Sequence, residues 1–304
     1  MSNSNEVAVF CAATDNYSMP MAAMIRSAAE NLNSEFRLKV YACSCGISSS
    51  NRLRIEKSLM KTCARIEWLE MKQADLDQLP DPGRYSIASF PRLFCEDLVP
   101  PSVRRLIYLD IDLIVLGDLA ELWKMDLKGD MAGAVQGLLG RKVSGEHGIE
   151  GYEKYSLSPE QPYFNTGVML FDLEQWRRNQ IGAKLRSLLL KDGQILRYKD
   201  QDVINIVLAN SICPLPPEWN QTPFIYHFQQ SESPLGETEH QRTLNNPKII
   251  HYATAIKPWQ KGSYHPKTGL FERWIYKTDW ATEYAFTPFT PRSILRKILN
   301  RFRR

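Results

Sequence analysis

The stretch VRRLIYLDID, residues 103–112, decides the fold, because it joins a buried strand directly to a pair of carboxylates. Its apolar run, Val103 to Leu109, has the length and composition of a strand that is covered on both faces. The run ends in Asp110 and Asp112, which flank one isoleucine. In open α/β sheets, ligands bind beyond the carboxyl ends of the strands. We therefore expect these two carboxylates to lie at the mouth of a binding site.

Apolar runs of strand length alternate with helical patterns through the first two-thirds of the chain. This alternation is typical of βαβ units, and it predicts an α/β fold with a largely parallel sheet and helices on both faces. Further strands are predicted at 7–13, 36–43, 65–69, 113–116, 131–135, 164–171 and 248–252. Helices are predicted at 20–31, after the serines 48–50, and at 90–98, 173–190, 200–210 and 271–280. Residues 137–161 predict a long loop or partial helix, of a length that usually serves function or is disordered.

The positive charge of the chain is concentrated at one end. Six basic residues and no acidic ones lie between 291 and 304, and removing these six from the formal charge of +4 leaves −2 on residues 1–290. A nearly neutral body argues against a broad nucleic-acid-binding face, which needs Lys and Arg spread along a surface. The six cysteines have no C-x-x-C or framework spacing and predict buried thiols of a reducing compartment. With no signal-peptide pattern near the first residue, we expect a cytoplasmic protein.

The paired carboxylates of the opening stretch predict a cation site. Several oxygens directed at one point suit Mg²⁺ or Mn²⁺, both of which bridge diphosphate oxygens. His251 lies in a second predicted strand, and Lys257, Pro258 and Trp259 follow it. A neutral imidazole would complete the metal shell and favour Mn²⁺ over Mg²⁺, while Lys257 would neutralise phosphate charge. The residues alone also allow a solvated D-x-D turn and a structural, hydrogen-bonded histidine.

Five motifs occur together in one order: AATDNY at 12–17, YLDID at 108–112, FNTGV at 164–168, DQD at 200–202 and H-x5-KPW at 251–259. In this order and approximate spacing they resemble glycosyltransferase family 8, over residues 6–280. The resemblance is greatest to lipopolysaccharide and lipooligosaccharide α-galactosyl- or α-glucosyltransferases, and glycogenin is a more distant relative. It implies a GT-A fold with a Rossmann-like nucleotide-binding sheet, a UDP-hexose donor, a glycan or glycolipid acceptor and retention of the anomeric configuration. The implied cofactor is Mn²⁺, with Mg²⁺ as the alternative.

Matching the motifs residue by residue assigns roles to positions of this chain. The implied metal ligands are Asp110, Asp112 and His251. The implied catalytic set is Gln201, Asp200, Arg92 and Asp110, with Gln201 beneath the anomeric carbon and the others near the sugar. The implied donor-binding set is Ala13, Thr14, Asn16, Asp110, Asp112, Asn165, Thr166 and Lys257. Two positions depart from the family pattern, because Thr14 stands where close relatives often carry an acidic residue and Thr254 replaces a glycine.

The chemistry expected at such a site follows from charge. Breaking the sugar–phosphate bond leaves negative charge on UDP, which a divalent cation and Lys257 would stabilise. Gln201 is a poor nucleophile, which favours attack by the acceptor hydroxyl on the same face with the departing phosphate oxygen as base. A covalent route through a carboxylate stays open at this stage.

Two other functions fit parts of the pattern. A metal-dependent nucleotidyltransferase or phosphohydrolase also uses carboxylates at strand ends, but such an enzyme usually carries a Gly-rich phosphate loop after its first strand. This chain has Thr14-Asp15-Asn16-Tyr17 there. A noncatalytic, membrane-associated scaffold of the same fold is the other alternative, and a broken set of metal ligands would favour it.

Residues 286–304 form a tail of different character, so we divide the chain into a catalytic domain, 1–285, and this tail. On a helical wheel at about 100° per residue its apolar residues fall within an arc of roughly 140°, with the basic residues outside it. Those apolar residues are Ile294, Leu295, Ile298, Leu299 and Phe302. The pattern predicts a helix on an anionic membrane surface, which would place the protein at the inner face of the plasma membrane. A surface helix packed on the body is the alternative.

Overall fold

The structure, a computed structural model, describes residues 5–83 and 85–286. Its strands are β1 (Glu6–Thr14), β2 (Arg37–Cys45), β3 (Ala64–Glu70), β4 (Arg105–Leu109), β5 (Leu113–Val115), β6 (Ala132–Gln136), β7 (Phe164–Asp172), β8 (Ile212–Pro214) and β9 (Ile249–His251). Its helices are α1 (Ser18–Glu30), α2 (Ser49–Ser58), α3 (Gln73–Leu76), α4 (Cys95–Leu98), α5 (Leu119–Trp123), α6 (Leu173–Arg178), α7 (Ile181–Asp192), α8 (Asp200–Val207), α9 (Glu237–Asn245), α10 (Thr268–Ile275) and α11 (Ala281–Phe286). Every strand that the sequence predicts is present, while β8, α3, α5, α9 and α11 are additional.

Seven strands form the central sheet in the order β3-β2-β1-β4-β7-β6-β8. The pairs β3-β2, β2-β1, β1-β4 and β6-β8 are parallel, which confirms the largely parallel sheet. Strand β7 runs antiparallel to both of its neighbours, β4 and β6. The chain leaves β1 to build one half of the sheet and returns at β4, so the carboxyl ends of β1 and β4 lie side by side at a switch point. Because β7 is reversed, its amino end lies at this same edge.

A second, two-stranded sheet carries one more segment to that edge. Strands β5 and β9 pair antiparallel, and Leu113 lies opposite His251. Strand β5 follows Asp112 directly, so this pairing places the end of β9 beside the end of β4, although the two are distant in sequence.

The central sheet is buried on both faces. Along β1, Val9 and Cys11 belong to one hydrophobic core, while Phe10 and Ala12 belong to the other. The apolar runs of the sequence are continuous rather than alternating because helices cover both sides of the strands.

One predicted helix is divided in two. The sequence predicts a single helix at 173–190, whereas the structure has α6 and α7 joined at Gln180, whose φ is 54°. A non-glycine residue in this left-handed region interrupts the α-helical hydrogen bonds, and the pattern of apolar residues does not reveal it. The loop predicted at 137–161 is irregular apart from a short 3₁₀ helix at Tyr152–Tyr155.

The membrane-binding helix predicted within 286–304 falls outside the described residues, apart from the last residue of α11. Within 5–83 and 85–286, no helix combines the length and hydropathy needed to span a bilayer.

Candidate active site at the carboxyl edge of the sheet

One cavity of about 660 Å³ opens at the edge where β1, β4, β7 and β9 meet. The structure brings eleven of the twelve predicted site residues to its wall: Ala13, Thr14, Arg92, Asp110, Asp112, Asn165, Thr166, Asp200, Gln201, His251 and Lys257. The exception is Asn16, which is exposed and accepts a 2.6 Å hydrogen bond from the Thr14 hydroxyl. A cavity of this size, with polar groups from distant segments, is typical of a small-molecule site.

Two carboxylates and one imidazole converge on one point of this cavity. The Nε2 atom of His251 lies 3.6 Å from Oδ2 of Asp110 and 3.3 Å from Oδ1 of Asp112. One ligand atom from each of the three side chains can be chosen so that all lie within 4.8 Å of one another. Asp112 and His251 are buried, while Asp110 is more open to the cavity.

Lys257 approaches the same cluster from the outer side. Its Nζ donates to Oδ2 of Asp112 at 2.5 Å and to the carbonyl of Tyr252 at 3.0 Å. Burial raises the pKa of Asp112, but the charge of Lys257 and the contact with His251 outweigh burial and hold that pKa below its usual value. Lys257 itself has a raised pKa, because Asp112 outweighs the opposing effect of burial. The lysine therefore stays cationic at the wall of the cavity.

The imidazole of His251 is held from two sides. Its Nδ1 lies 2.9 Å from Oδ1 of Asn220, in the short 3₁₀ segment Pro217–Asn220. Its ring edge rests on Gly167, where a Cβ atom would come within 2.2 Å of Cε1 of the ring and 2.7 Å of Oδ2 of Asp110. Only a residue without a side chain leaves room for this ring position.

These observations test whether the residues fit a divalent cation. Two carboxylates and an imidazole nitrogen are a suitable donor set for Mn²⁺, and the carboxylates also suit Mg²⁺. The bare backbone of Gly167 forms a cradle that a methyl group would fill. The donors therefore fit such an ion.

Arg92 lies at the centre of a second charged group. It is 5% exposed, and its guanidinium lies 2.7 Å from Asp200 and 3.5 Å from Asp110. It also donates to the carbonyl and hydroxyl of Thr166 and stacks over the ring of Tyr108, 4.4 Å from the ring centre. Burial raises the pKa of Asp200, and the nearby Arg92 only partly offsets this. The arrangement presents a hydrogen-bond acceptor and a hydrogen-bond donor together at the wall of the cavity.

The side-chain amide of Gln201 has a fixed orientation. Its Oε1 accepts from the backbone N–H of Thr166 at 3.2 Å, and its Nε2 donates to the Tyr163 hydroxyl at 2.8 Å. That hydroxyl donates to Asp202 at 2.5 Å, and the other oxygen of Asp202 accepts from the backbone N–H of Tyr198. Burial raises the pKa of Asp202 to about 6.

The two positions that depart from the family pattern lie beside this cavity. Thr14 lines it, and its hydroxyl is occupied by Asn16. The Thr254 hydroxyl donates to the carbonyl of Ile256 at 2.9 Å, within the loop that leads to Lys257. Neither threonine contacts the cluster of Asp110, Asp112 and His251.

Sequence reasoning did not identify several residues that hold these groups in place: Tyr163, Gly167, Asp202 and Asn220. Gly167 and Asp202 belong to motifs that the sequence analysis quoted, but no role was assigned to either. Asn220 lies in a Pro-rich stretch predicted to be irregular, and a lone asparagine there carries no signal of its own.

Residues 8–262 match the model of Glycosyl transferase family 8. The chain belongs to glycosyl transferase family 8. This confirms the resemblance that the five motifs indicate.

Several named proteins are similar in sequence to this chain. General stress protein A of Bacillus subtilis (strain 168) is 29% identical over 274 residues, covering 89% of this chain and 93% of that protein. Lipopolysaccharide 1,2-glucosyltransferase of Escherichia coli (strain K12) is 29% identical over 231 residues, covering 75% of this chain and 65% of that protein. Glycosyltransferase GlyF of Streptococcus pneumoniae serotype 4 is 32% identical, and the chain spans 44% of its length. The protein is thus a family 8 glycosyltransferase related to lipopolysaccharide glucosyltransferases.

Solved structures agree with this membership. Galactosyltransferase LgtC, in complex with donor and acceptor sugar analogs, superposes with a TM-score of 0.77 at 25% identity, covering 91% of this chain and 99% of that one. The bifunctional glycosyltransferase WbbM superposes with a TM-score of 0.76, and the match covers 93% of this chain and 52% of that one. At 19% identity it supports the fold alone. The fold is GT-A, as the sequence analysis expects.

Proposed function

We propose that this protein transfers glucose or galactose from a UDP-sugar to a glycan or glycolipid acceptor, with retention of the anomeric configuration. We place this reaction in the synthesis of lipopolysaccharide or another cell-surface polysaccharide. The observation that carries the proposal is the meeting of Asp110, Asp112 and His251 at one cavity, with Lys257 beside them, in a chain of family 8.

The proposed cation is Mn²⁺, with Mg²⁺ as the alternative, and its ligands are Asp110, Asp112 and His251. When bound, a divalent cation supplies positive charge to the diphosphate oxygens as the sugar–phosphate bond breaks. Lys257 adds a second positive charge on the same side of the cavity. Because its Nζ is held by Asp112 and a backbone carbonyl, that charge is positioned before the donor arrives.

We place the sugar of the donor at another part of the cavity wall. The cavity is lined there by Asp200, Arg92 and Asn165. The carboxylate of Asp200 can accept hydrogen bonds from the sugar hydroxyls, the guanidinium of Arg92 can donate them, and the amide of Asn165 can do both. Gln201 lies beside them, with its carboxamide oriented by Thr166 and Tyr163. We place this amide beneath the anomeric carbon.

The chemistry proposed is attack by the acceptor hydroxyl on the face that the phosphate leaves, with the departing phosphate oxygen taking the hydroxyl proton. Gln201 is uncharged and already bonded at both ends of its amide, which makes it a poor nucleophile. Of the two carboxylates that flank it in sequence, Asp202 has no exposed surface and faces Tyr163 and Tyr198. The other, Asp200, is paired with Arg92 at 2.7 Å. These contacts favour direct attack over a covalent intermediate.

UDP release from a panel of UDP-sugars with Mn²⁺ tests the proposal. We expect release from UDP-glucose or UDP-galactose, and a fall of roughly 10²- to 10³-fold in Asp112→Asn, the scale of one lost group that stabilises developing charge. The matched control is Asp126→Asn, because Asp126 is an exposed carboxylate that only accepts from the backbone of Lys128. Equal release by Asp112→Asn and the wild type would refute the metal assignment.

The membrane association predicted for the tail rests on the sequence alone. We propose that residues 291–304 bind anionic lipid and bring the enzyme to the inner face of the plasma membrane, where a glycolipid acceptor lies. Deleting them should abolish co-sedimentation with anionic vesicles and leave UDP-sugar hydrolysis intact. Unchanged sedimentation would disprove it.

A further inference from the structure

We propose that Asn220 is a positioning residue that fixes which nitrogen of His251 carries the ring proton, and thereby sets the affinity of the site for a divalent cation. The inference rests on the proposed function, because it concerns the same cation site. Asn220 is 3% exposed and contacts the ring on the side opposite the carboxylates. It binds neither donor nor metal in this account.

The orientation of the Asn220 amide follows from a backbone group that can only donate. The N–H of Gly167 donates to Oδ1 of Asn165 at 3.0 Å, which identifies that atom as the oxygen. The same oxygen lies 2.7 Å from the terminal amide of Asn220 and must accept from its Nδ2. The other end of the Asn220 amide, Oδ1, therefore faces the histidine.

The orientation of this amide decides the state of the imidazole. Oδ1 of Asn220 lies 2.9 Å from Nδ1 of His251, and an amide oxygen can only accept. In the neutral ring, Nδ1 must then carry the proton and Nε2 must carry the lone pair. Nε2 is the atom that lies 3.3 Å from Asp112 and 3.6 Å from Asp110. The ring thus offers its lone pair at the point where the carboxylates converge.

The opposite tautomer is disfavoured at the Nδ1 end of the ring and, once a cation is bound, at the Nε2 end as well. Its Nδ1 lone pair would face the oxygen of Asn220, and its Nε2–H would occupy the position of the cation. The ring has no room to shift away, since it already rests on the backbone of Gly167. One hydrogen-bond chain from Gly167 through Asn165 and Asn220 to His251 therefore prepares the nitrogen for metal.

Substitutions of Asn220 test this role. Asn220→Leu has a similar volume and removes the acceptor, so both tautomers should become populated and Mn²⁺ affinity should fall roughly 10- to 100-fold, the usual effect of losing a partner behind a metal ligand. Asn220→Asp keeps an acceptor oxygen for Nδ1–H but loses the donor to Asn165, so its ring should keep the wild-type tautomer and its Mn²⁺ affinity should fall less than that of Asn220→Leu. The matched control is Asn31→Leu, which removes side-chain hydrogen bonds to Ser27 and Val115.

Two measurements are needed, and neither uses enzyme activity. Electron paramagnetic resonance of free Mn²⁺ gives the affinity without nucleotide. Two-bond ¹⁵N–¹H correlation spectra of metal-free protein, at a pH where the ring is neutral, give the position of the proton among the five histidines, with His251→Asn for assignment. In the wild type we expect the proton on Nδ1.

The outcomes separate this inference from the function on which it rests. A wild-type ring protonated on Nε2, or an Asn220→Leu variant with unchanged tautomer and unchanged Mn²⁺ affinity, would overturn the role of Asn220 alone. Absence of Mn²⁺ binding by the wild type would overturn both proposals. The role of Asn220 would be supported if Asn220→Leu lost Mn²⁺ affinity and showed a mixture of tautomers, while Asn31→Leu bound Mn²⁺ as the wild type does.

Discussion

The two walls of the cavity satisfy their polar groups in different ways. The metal side comprises Asp110, Asp112 and His251, and the Gln201 side comprises Gln201, Tyr163 and Asp202. On the metal side, the His251 imidazole lies 3.3 and 3.6 Å from the two carboxylates, and Lys257 donates to Oδ2 of Asp112. On the Gln201 side, hydrogen bonds within the protein connect all three side chains. The metal side presents charged groups to the cavity, whereas the polar groups of the Gln201 side are hydrogen-bonded to one another.

We infer from this difference which measurable property each wall controls. Close carboxylates repel each other unless a cation lies between them, so changes on the metal side should alter metal affinity first. Hydrogen bonds on the Gln201 side hold an uncharged amide in one orientation, so changes there should alter the rate and leave metal affinity unchanged.

Among the changes that compare the two walls, the largest effect is expected from Gly167→Ala, which disturbs the metal side. The new methyl group would come within 2.2 Å of the His251 ring and 2.7 Å of an Asp110 oxygen, so the ring must move. Displacing a catalytic group by about 1 Å costs on the order of 10²-fold, and we expect losses of that size in both Mn²⁺ affinity and UDP release. Mn²⁺ titration and the UDP-release assay measure them.

Gly145→Ala is the matched control for that change. A methyl group there comes no closer than 3.3 Å to another atom, a backbone oxygen of Lys142. We expect its Mn²⁺ affinity and UDP release to equal those of the wild type. If Gly167→Ala also behaved as the wild type, the cradle would have no part in placing the histidine.

An intermediate effect is expected in the pH dependence of stability on the Gln201 side. Burial raises the pKa of Asp202 from 3.8 to about 6, so between these values the folded protein holds a proton that the unfolded chain has released. The stability from this proton is complete at low pH and is lost as pH rises through 6. Across that window, the free energy of unfolding of the wild type should fall by about 3 kcal/mol relative to Asp202→Asn.

Denaturant unfolding of the two proteins at several pH values measures this difference. Other titrating groups are common to both and cancel in the comparison. Parallel curves for the wild type and Asp202→Asn would mean that the buried carboxyl titrates normally, and the Gln201 side would then be less enclosed than its contacts indicate.

The smallest effect is expected from Tyr163→Phe, which removes one hydroxyl from the Gln201 side. The Gln201 amide loses an acceptor and Asp202 loses a donor, at about 1 kcal/mol for a typical hydrogen bond. We expect kcat to fall by roughly 5- to 10-fold, with KM and Mn²⁺ affinity unchanged. Tyr264→Phe, at a side chain 78% exposed, is the control. A drop in Mn²⁺ affinity instead would remove the distinction between the two walls.

Much of the fold follows from the sequence, because buried strands leave continuous apolar runs. The run at 103–109 and the carboxylates after it could be placed at a strand end before any coordinates. The reversed direction of β7 could not, since an apolar strand has the same composition in either direction. Nor could the break at Gln180, where a positive φ is imposed by the surroundings rather than by residue type.

Some residues of the site could be identified from sequence motifs, whereas others could be identified only from their contacts in the structure. His251 could be assigned to the metal because its motif resembles a family, whereas an isolated histidine does not reveal its neighbours. Asn220 could not be found, because its role depends on an amide orientation that a backbone N–H fixes through Asn165. Residues that contact ligands leave patterns in sequence, while residues that orient them are found through geometry.

The central claim is that Asp110, Asp112 and His251 hold one divalent cation. Its most direct test is a crystal grown with Mn²⁺ and UDP, examined by anomalous scattering at the manganese absorption edge. We predict one anomalous peak within bonding distance of Nε2 of His251 and of both carboxylates, with the diphosphate of UDP next to that peak. A UDP-bound crystal with no peak at that point, or with manganese bound elsewhere, would contradict it.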